Sequence, residues 1–297
     1  MPNNQPIGIF DSGLGGLTVA KEITNAMPYE PIYYVGDTGR CPYGPRPQSQ
    51  VRDFVLQVGS WLERHGTKMI IIACNTATAA GLQALQEVSP VPVVGVIEPG
   101  ARGAVAASKT KKIGVIATQG TVESQSYVKA IHAICPEAEV VQTPAGPFVT
   151  IVESELASGK YLHCDGVDVE DVFDTEEIQS IVDIQVRPLA QAGVDTVVLG
   201  CTHFPLLAKQ IQRALGDDVV LVNPAYIATQ EAEEILEQMG AKADVKTEVL
   251  GVDDEPEYRF ATTSSNVASF AAASQFTFGH KLDSVENIKT SDLEKLI

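Results

Sequence analysis

Short apolar runs rich in β-branched residues recur along this chain and alternate with segments of helical periodicity. The runs IGIF, IYYV, MIIIA and VVGV occupy residues 7–10, 32–35, 69–73 and 93–96. Between the second and third runs, apolar side chains recur every three or four residues, at Val51, Phe54, Val55, Val58 and Leu62. Apolar strands that alternate with amphipathic helices are typical of βα units, because neighbouring parallel strands need a crossover connection. The sequence therefore predicts an α/β fold built on mostly parallel sheets flanked by helices.

The pattern then restarts. IGVI at residues 113–116 echoes IGIF, and VVLGCT at 197–202 echoes IIACNT at 71–76. These ordered echoes predict two similar domains, one formed by residues 1–98 and 223–282, the other by 99–222. A further helix is predicted near 229–239, a strand and helix within 251–279, and a polar tail at 283–297. Ligands of parallel sheets bind at the carboxyl ends of the strands, so we expect the active site in a cleft between the domains.

The charge balance excludes several classes of partner. The 297 residues contain 38 acidic and 21 basic side chains, for a net charge of −17, which disfavours nucleic acid and anionic membranes as partners. No apolar run approaches the roughly 20 residues that cross a bilayer, and the first residues lack the features of a signal peptide. A small molecule is the expected partner, and the expected location is cytoplasmic.

Five cysteines, an odd number, occur without a CxxC motif, and His163 and Cys164 are adjacent. This spacing argues against both a disulfide scaffold and a structural zinc site. We therefore expect free thiols and no bound metal.

Cys74 and Cys201 each follow an apolar strand and precede hydroxyl or amide residues that can cap a helix. A helix N-terminus lowers a thiol pKa from about 8.5 toward neutrality, the range that proton transfer requires. A single such cysteine is more often a small core residue, but a matched pair favours acid–base chemistry. Asp11 and His203 are candidate proton partners. The alternatives are a helix N-cap for Asp11 and a hydrogen-bonded, non-catalytic histidine for His203.

Cofactor motifs are missing from the sequence. The turn DSGLGG at residues 11–16 lacks GxGxxG spacing, and no GxxxxGK[ST] loop occurs. The four polar segments at 11–16, 42–46, 73–78 and 200–205 contain no lysine that can form a Schiff base with pyridoxal phosphate. We expect chemistry without a cofactor.

In order, DSGLGGLTV at 11–19, GDT at 36–38 with PYG at 42–44, CNTATA at 74–79 and GCTH at 200–203 resemble the glutamate racemase family over residues 7–279. The resemblance implies cofactor-independent interconversion of L- and D-glutamate, with D-glutamate supplied to peptidoglycan synthesis. It matches Cys74 and Cys201 to two catalytic cysteines assisted by Asp11 and His203. It makes Glu153 an assisting carboxylate, the alternative being an ordinary helix-surface glutamate.

The resemblance also implies a set of substrate-binding residues drawn from the same segments. They are Asp11, Ser12, Pro42, Tyr43, Gly44, Asn75, Thr76, Thr118, Thr121, Thr202 and His203. The expected assembly is a homodimer, of geometry that the sequence does not fix.

Two features depart from the family pattern: Phe204 stands where tyrosine is usual, and the acidic stretch at 159–179 is long. Three other functions share parts of the pattern. A racemase of aspartate or hydantoins would use the same paired cysteines, a solute-binding module would have the same two-lobed cleft, and a redox sensor would use the two thiols as a disulfide pair.

Overall fold

A computed structural model describes residues 3–159, 168–243 and 256–297. Its strands, in chain order, are Ile7–Asp11 (β1), Ile32–Gly36 (β2), Met69–Ile72 (β3), Val93–Gly95 (β4), Lys112–Ala117 (β5), Glu139–Pro144 (β6), Thr196–Gly200 (β7), Val220–Val222 (β8), Tyr258–Thr262 (β9) and Ser284–Asn287 (β10). They form a six-stranded sheet of order β10-β9-β2-β1-β3-β4 and a four-stranded sheet of order β6-β5-β7-β8. Every pairing is parallel, which confirms the predicted fold class.

Helices connect the strands and cover the sheets. They are Leu17–Ala26 (α1), Gln48–Arg64 (α2), Asn75–Val88 (α3), Ile97–Ala107 (α4), Gln119–Ser124 (α5), Ser126–Ile134 (α6), Gly146–Ala157 (α7), Glu176–Ala192 (α8), Ala208–Leu215 (α9), Pro224–Gln238 (α10), Val267–Phe278 (α11) and Thr290–Leu293 (α12). Short 3-10 helices lie at Thr38–Arg40, Val169–Phe173, Phe204–Leu207 and Glu294–Leu296. Among the described helices, none is both long and apolar enough to cross a membrane.

Burial explains why the central strands have nearly continuous apolar sequences. Every residue of β1, β2, β3 and β7 is buried, as expected where helices cover both faces of a parallel sheet. The periodic apolar residues of α2 are also buried, which confirms the predicted helix. The largest apolar cluster contains Ile9 and Leu17 beside the first sheet and Ile116 and Leu199 of the second. The two halves therefore share a core.

The predicted polar tail at 283–297 is wrong. Ser284–Asn287 is strand β10, which pairs in parallel with β9, and Leu293 is fully buried. The apolar signal was weak because β10 is an edge strand whose residues are mostly exposed.

Two other sequence boundaries differ from the structure. The helix predicted at 229–239 begins at Pro224, where Asn223 accepts a hydrogen bond from the Ala225 amide as its N-cap. The division between residues 98 and 99 falls inside α4. Of the acidic stretch at 159–179, residues 160–167 lie outside the described residues, as do His163 and Cys164.

Candidate active site

A cavity of about 280 Å³ lies where the carboxyl ends of strands from both sheets meet. The predicted site residues that line it are Ser12, Pro42, Tyr43, Gly44, Cys74, Asn75, Thr76, Thr118, Cys201, Thr202 and His203. Asp11, Thr121 and Glu153 are not on its wall but contact residues that are, as described below. The structure thus brings residues that are distant in sequence to one site.

Cys74 lies at the end of β3 and is the N-cap of α3. Its Sγ accepts a hydrogen bond from the Ala77 amide at 3.5 Å and lies 3.9 Å from Ser12 Oγ. Burial, and then the negative charge of Asp11, raise the pKa of the Cys74 thiol, and the Ala77 hydrogen bond opposes them. The expectation that the helix N-terminus lowers the pKa is therefore wrong for Cys74, because loss of hydration outweighs the helix terminus.

Cys201 directly follows β7, but no α-helix begins there. A turn and the 3-10 helix Phe204–Leu207 intervene, and α9 starts only at Ala208. The predicted helix cap after Cys201 is therefore wrong. His203 is instead the group next to the thiol, with Nδ1 3.5 Å from Cys201 Sγ.

His203 forms a second contact on the opposite side of its ring. Its Nε2 lies 2.6 Å from Glu153 Oε1, which also accepts a hydrogen bond from the Leu14 amide at 2.9 Å. Burial opposes a charged imidazole, but Cys201 and Glu153 together raise the pKa of His203 well above its usual value. Burial likewise opposes the Glu153 carboxylate, yet the His203 contact lowers the pKa of Glu153. The geometry thus favours an imidazolium at His203 beside the Glu153 carboxylate.

Asp11 is fully buried behind the cavity at the end of β1. It accepts hydrogen bonds from the Gly13 amide at 2.9 Å and from Thr202 Oγ1 at 3.2 Å. Burial raises the pKa of Asp11, and the charge of His203 opposes this shift. Helix α1 has Gly16 as its N-cap, so Asp11 is not the simple helix cap that the sequence left as an alternative.

The glycines of the turn at 11–16 allow the two halves to approach closely. A Cβ atom on Gly15 would lie 2.5 Å from Thr202 Oγ1 and 2.7 Å from His203 Nδ1. Any larger residue at Gly15 would push the first turn away from the Cys201 segment, which explains these glycines without a nucleotide.

Three threonine hydroxyls join the first half to the second. Thr76 Oγ1 lies 2.8 Å from Thr118 Oγ1 and 3.3 Å from Thr121 Oγ1, and the latter two are 3.0 Å apart. Thr121 is fully buried, whereas Thr76 and Thr118 reach the cavity wall. Thr121 therefore orients the two hydroxyls that a ligand can contact.

A buried polar network beside Tyr43 was missed in the sequence. The Tyr43 hydroxyl donates to Asp37 Oδ2, and Asp37 also accepts from Arg40 Nε at 2.7 Å and from Thr263 Oγ1 at 2.7 Å. A sequence signal for this network existed, since GDT at 36–38 places an acidic residue three positions before the basic residue Arg40. The network anchors the segment that carries Pro42, Tyr43 and Gly44.

Further wall residues were not among the predicted site residues. Pro45 lies within the polar segment 42–46, whereas Gln119, Gly146, Val149 and Thr150 lie outside all four polar segments. Phe204, the departure from the family pattern, is fully buried off the wall, edge-on to Phe148 at 5.2 Å between ring centroids.

The cavity wall contains no lysine or arginine among the described residues. Arg46 lies near the cavity but not on its wall, with Nε 3.3 Å from the Pro42 carbonyl. An anion bound here would therefore meet amides, hydroxyls and His203. The described residues contain no cluster of metal-ligating side chains.

Comparison with known proteins gives one consistent result. Residues 17–232 match the sequence model of a family described as Asp/Glu/Hydantoin racemase. A glutamate racemase from Carnobacterium sp. (strain St2) is 42% identical over 92% of this chain and 94% of the relative. One from Lysinibacillus sphaericus is 40% identical over 88% of this chain and 90% of the relative.

Solved structures agree. Glutamate racemase isoform RacE1 from Bacillus anthracis superposes with a TM-score of 0.83 at 38% identity, covering 97% of this chain and 98% of its own. Glutamate racemase from Francisella tularensis in complex with D-glutamate superposes with a TM-score of 0.80 at 29% identity, covering 97% of this chain and 99% of its own.

Proposed function

The chain belongs to the Asp/Glu/hydantoin racemase family and is an amino-acid racemase, and we propose that it interconverts L- and D-glutamate by proton transfer between Cys74 and Cys201, without a cofactor. The observation that carries this proposal is the placement of both thiols on the wall of one cavity. The two relatives described above match most of this chain at 40% and 42% identity and bear the name glutamate racemase, which supports glutamate as the substrate.

Two thiols suit this reaction because the α-hydrogen must leave one face of the carbon and return to the other. One group has to begin as a base and its counterpart as an acid. Burial and then Asp11 favour the protonated thiol at Cys74, whereas Cys201 has the Nδ1 atom of His203 3.5 Å from its sulfur as a proton partner. As the family resemblance implies, we assign Cys201 as the base that removes the proton from L-glutamate and Cys74 as the acid that delivers a proton to the opposite face.

The reverse direction uses the same groups in exchanged states. After one turnover Cys74 is a thiolate and Cys201 a thiol, the state that accepts the proton from D-glutamate. Burial, and then the charge of Asp11 behind it, raise the pKa of the Cys74 thiol, which makes the Cys74 thiolate a strong base. To restore the resting state, Cys201 releases one proton to solvent and the Cys74 thiolate takes one up, so the number of protons on the enzyme is unchanged.

Negative charge that develops on the substrate has to be stabilised without lysine or arginine. Asn75 and Thr76 lie in the first turn of α3, whose N-terminus favours anions, and Thr118 and Thr202 add hydroxyls. Donors that are already in place as the enolate-like charge forms lower the barrier more than donors that must reorganise. These groups account for binding of both carboxylates and for part of the rate.

The biological setting follows from the same proposal. D-glutamate made in the cytoplasm would supply peptidoglycan synthesis, and a homodimer is the assembly we propose. Depletion of the protein in its host should stop growth unless D-glutamate is supplied, and light scattering should give twice the chain mass.

The decisive experiment is circular dichroism of L-glutamate incubated with protein dialysed against a chelator. We expect the optical signal to decay to zero as the two enantiomers reach equal concentrations. L-aspartate and a hydantoin serve as alternative substrates, and faster racemisation of either would show that it, and not glutamate, is the preferred substrate.

A strict requirement for added metal or pyridoxal phosphate would refute the cofactor-independent reaction. Ligand binding unaffected by alkylation of both thiols would favour a binding module, and a reversible Cys74–Cys201 disulfide under mild oxidant would favour a redox sensor.

A further inference from the structure

Tyr127, on α6, is a fully buried tyrosine that takes no part in the mechanism above. Its hydroxyl donates a hydrogen bond of 2.6 Å to Asn75 Oδ1. Asn75 follows Cys74 directly and lines the cavity, whereas Tyr127 does not reach the wall. A residue of the second half thereby holds a side chain of the first.

The ring of Tyr127 also packs against the segment that carries the other cysteine. A Cβ atom on Gly200, the residue before Cys201, would lie 3.1 Å from Tyr127 Cε2 and 2.9 Å from the Ile116 carbonyl oxygen. Glycine at 200 therefore leaves room for the ring. Tyr127 contacts the neighbour in sequence of each cysteine, and so it fixes the Asn75 amide relative to both.

The direction of the hydrogen bond determines which atom of Asn75 is left for a ligand. Burial, followed by the negative charge of Cys201, raises the pKa of Tyr127, so the hydroxyl stays protonated and donates. Asn75 Oδ1 is the acceptor of that bond. Among the residues that the structure describes, Asn75 Nδ2 has no hydrogen-bond partner, and Asn75 keeps 4% of its surface exposed, on the cavity wall.

We propose that Tyr127 is a positioning residue that holds the Asn75 amide with Nδ2 toward the cavity, where it donates to a carboxylate of the substrate. This inference rests on the proposed function, since it takes glutamate as the ligand. A free asparagine side chain would present its oxygen to the anion for part of the time, which is repulsive. Rotation of the amide would turn Nδ2 toward the Tyr127 hydroxyl and remove the acceptor that its buried hydrogen now has, which costs free energy.

The test compares Tyr127→Phe with wild type in racemisation of both enantiomers. The substitution removes one hydroxyl and keeps the ring beside Gly200. We expect KM to rise about tenfold for L- and D-glutamate, with a smaller loss in kcat, because a donor to the bound anion is lost. A merely structural defect would reduce the active fraction and hence kcat, and leave KM unchanged. The dissociation constant of D-glutamate, measured by calorimetry, should rise by a similar factor.

Tyr33→Phe is the matched control. Its hydroxyl also donates a 2.6 Å hydrogen bond to a side-chain oxygen, that of Glu286, away from the cavity. Asn75→Ala and the double variant Asn75→Ala/Tyr127→Phe complete the set, and we expect these two to have the same KM, because Tyr127 acts through Asn75.

The outcomes are distinct. Tyr127→Phe with the KM of wild type, or a tenfold effect that persists in the Asn75→Ala background, would overturn the positioning role. A wild-type chain that binds glutamate and does not racemise it would refute the proposed function, and the dissociation constants would still decide the role of Tyr127. A chain that binds no glutamate would overturn both.

Discussion

Cys74 and Cys201 occupy the same place in their respective halves, at the carboxyl end of a central parallel strand, but their surroundings differ. Cys74 caps α3 and has the neutral Ser12 hydroxyl nearby, with the carboxyl of Asp11 behind. Cys201 is followed by a turn and lies 3.5 Å from an imidazole that is itself held by Glu153. The same backbone placement thus supports two different proton environments.

In the proposed mechanism, this difference in surroundings gives the two thiols different roles. Burial and the charge of Asp11 raise the pKa of the Cys74 thiol, whereas the Cys201 thiol has the His203 imidazole beside it. The two halves are therefore chemically unequal, although the overall reaction is symmetric. Because the enantiomers have equal free energy in water, kcat/KM must be equal in the two directions for wild type and for every variant. The difference between the two thiols can therefore appear only in the half-reactions, in KM and kcat taken separately, and in the pH dependence of KM and kcat.

The largest effect is expected from Cys74→Ser and Cys201→Ser. A serine hydroxyl is too weakly acidic to exchange a proton at neutral pH, so each variant should lose racemisation by a factor of about 10³ or more. With an analogue that expels a leaving group after α-proton removal, Cys74→Ser should process only the L-enantiomer and Cys201→Ser only the D-enantiomer. Near-normal racemisation by either variant would show that one cysteine is structural.

His203→Gln should reduce the reaction at Cys201 more than the reaction at Cys74, and its loss of activity should be smaller than that of the serine variants. Without the imidazole 3.5 Å from its sulfur, Cys201 loses its proton partner, so elimination from the L-analogue should fall about 10²-fold. Elimination from the D-analogue, which depends on Cys74, should fall much less. Equal losses for both analogues would mean that His203 serves both thiols or only binds substrate.

Glu153→Gln tests the origin of the charge on His203 through the pH profile. Activity at high pH is lost as the imidazolium deprotonates, and Glu153 helps raise the pKa of His203. Removing its negative charge should lower that pKa, so the alkaline limb of kcat/KM should move to lower pH by about one unit. Glu155→Gln, on the same helix, is the control. A limb that does not move would exclude Glu153 from this role.

The sequence located both cysteines because a residue at the end of a buried parallel strand can be read from local periodicity. It also ordered most strands and helices, for the same reason. The charged and buried surroundings of each thiol could not be predicted from the local sequence. The helix terminus at Cys74 was correctly placed, but its effect on pKa was overestimated, because the degree of burial depends on segments distant in sequence.

The missed elements have the same cause. Tyr127 and Asn75 are 52 residues apart and belong to different halves. Asp37 is partnered by Thr263, which is 226 residues away. Strand β10 is polar and exposed, so only its pairing with β9 identifies it as a strand. Such contacts follow from the packing of the two halves, and the local pattern of a single sequence does not specify that packing.

Arg46→Ala should have the smallest effect, and it tests whether the two halves differ in substrate binding as well as in proton chemistry. Arg46 is the basic residue of the segment that carries Tyr43 and Gly44, on the Cys74 side. Its guanidinium contacts the Pro42 carbonyl at 3.3 Å and lies 5.5 Å from the centroid of the Phe54 ring, off the cavity wall.

If hydroxyls and amides hold both substrate carboxylates, removing this cation should leave KM within a few-fold for either enantiomer. A direct ion pair would instead cost roughly 2–5 kcal/mol, which is at least a 30-fold rise in KM. Arg52→Ala, exposed on α2, controls for the loss of one positive charge from an acidic protein. A large rise for Arg46→Ala with none for Arg52→Ala would show that the first half binds the substrate anion through a cation. The comparison of the two thiols would then have to include unequal binding, because a cation near Cys74 alone would also lower the pKa of that thiol and reduce the asymmetry between the faces.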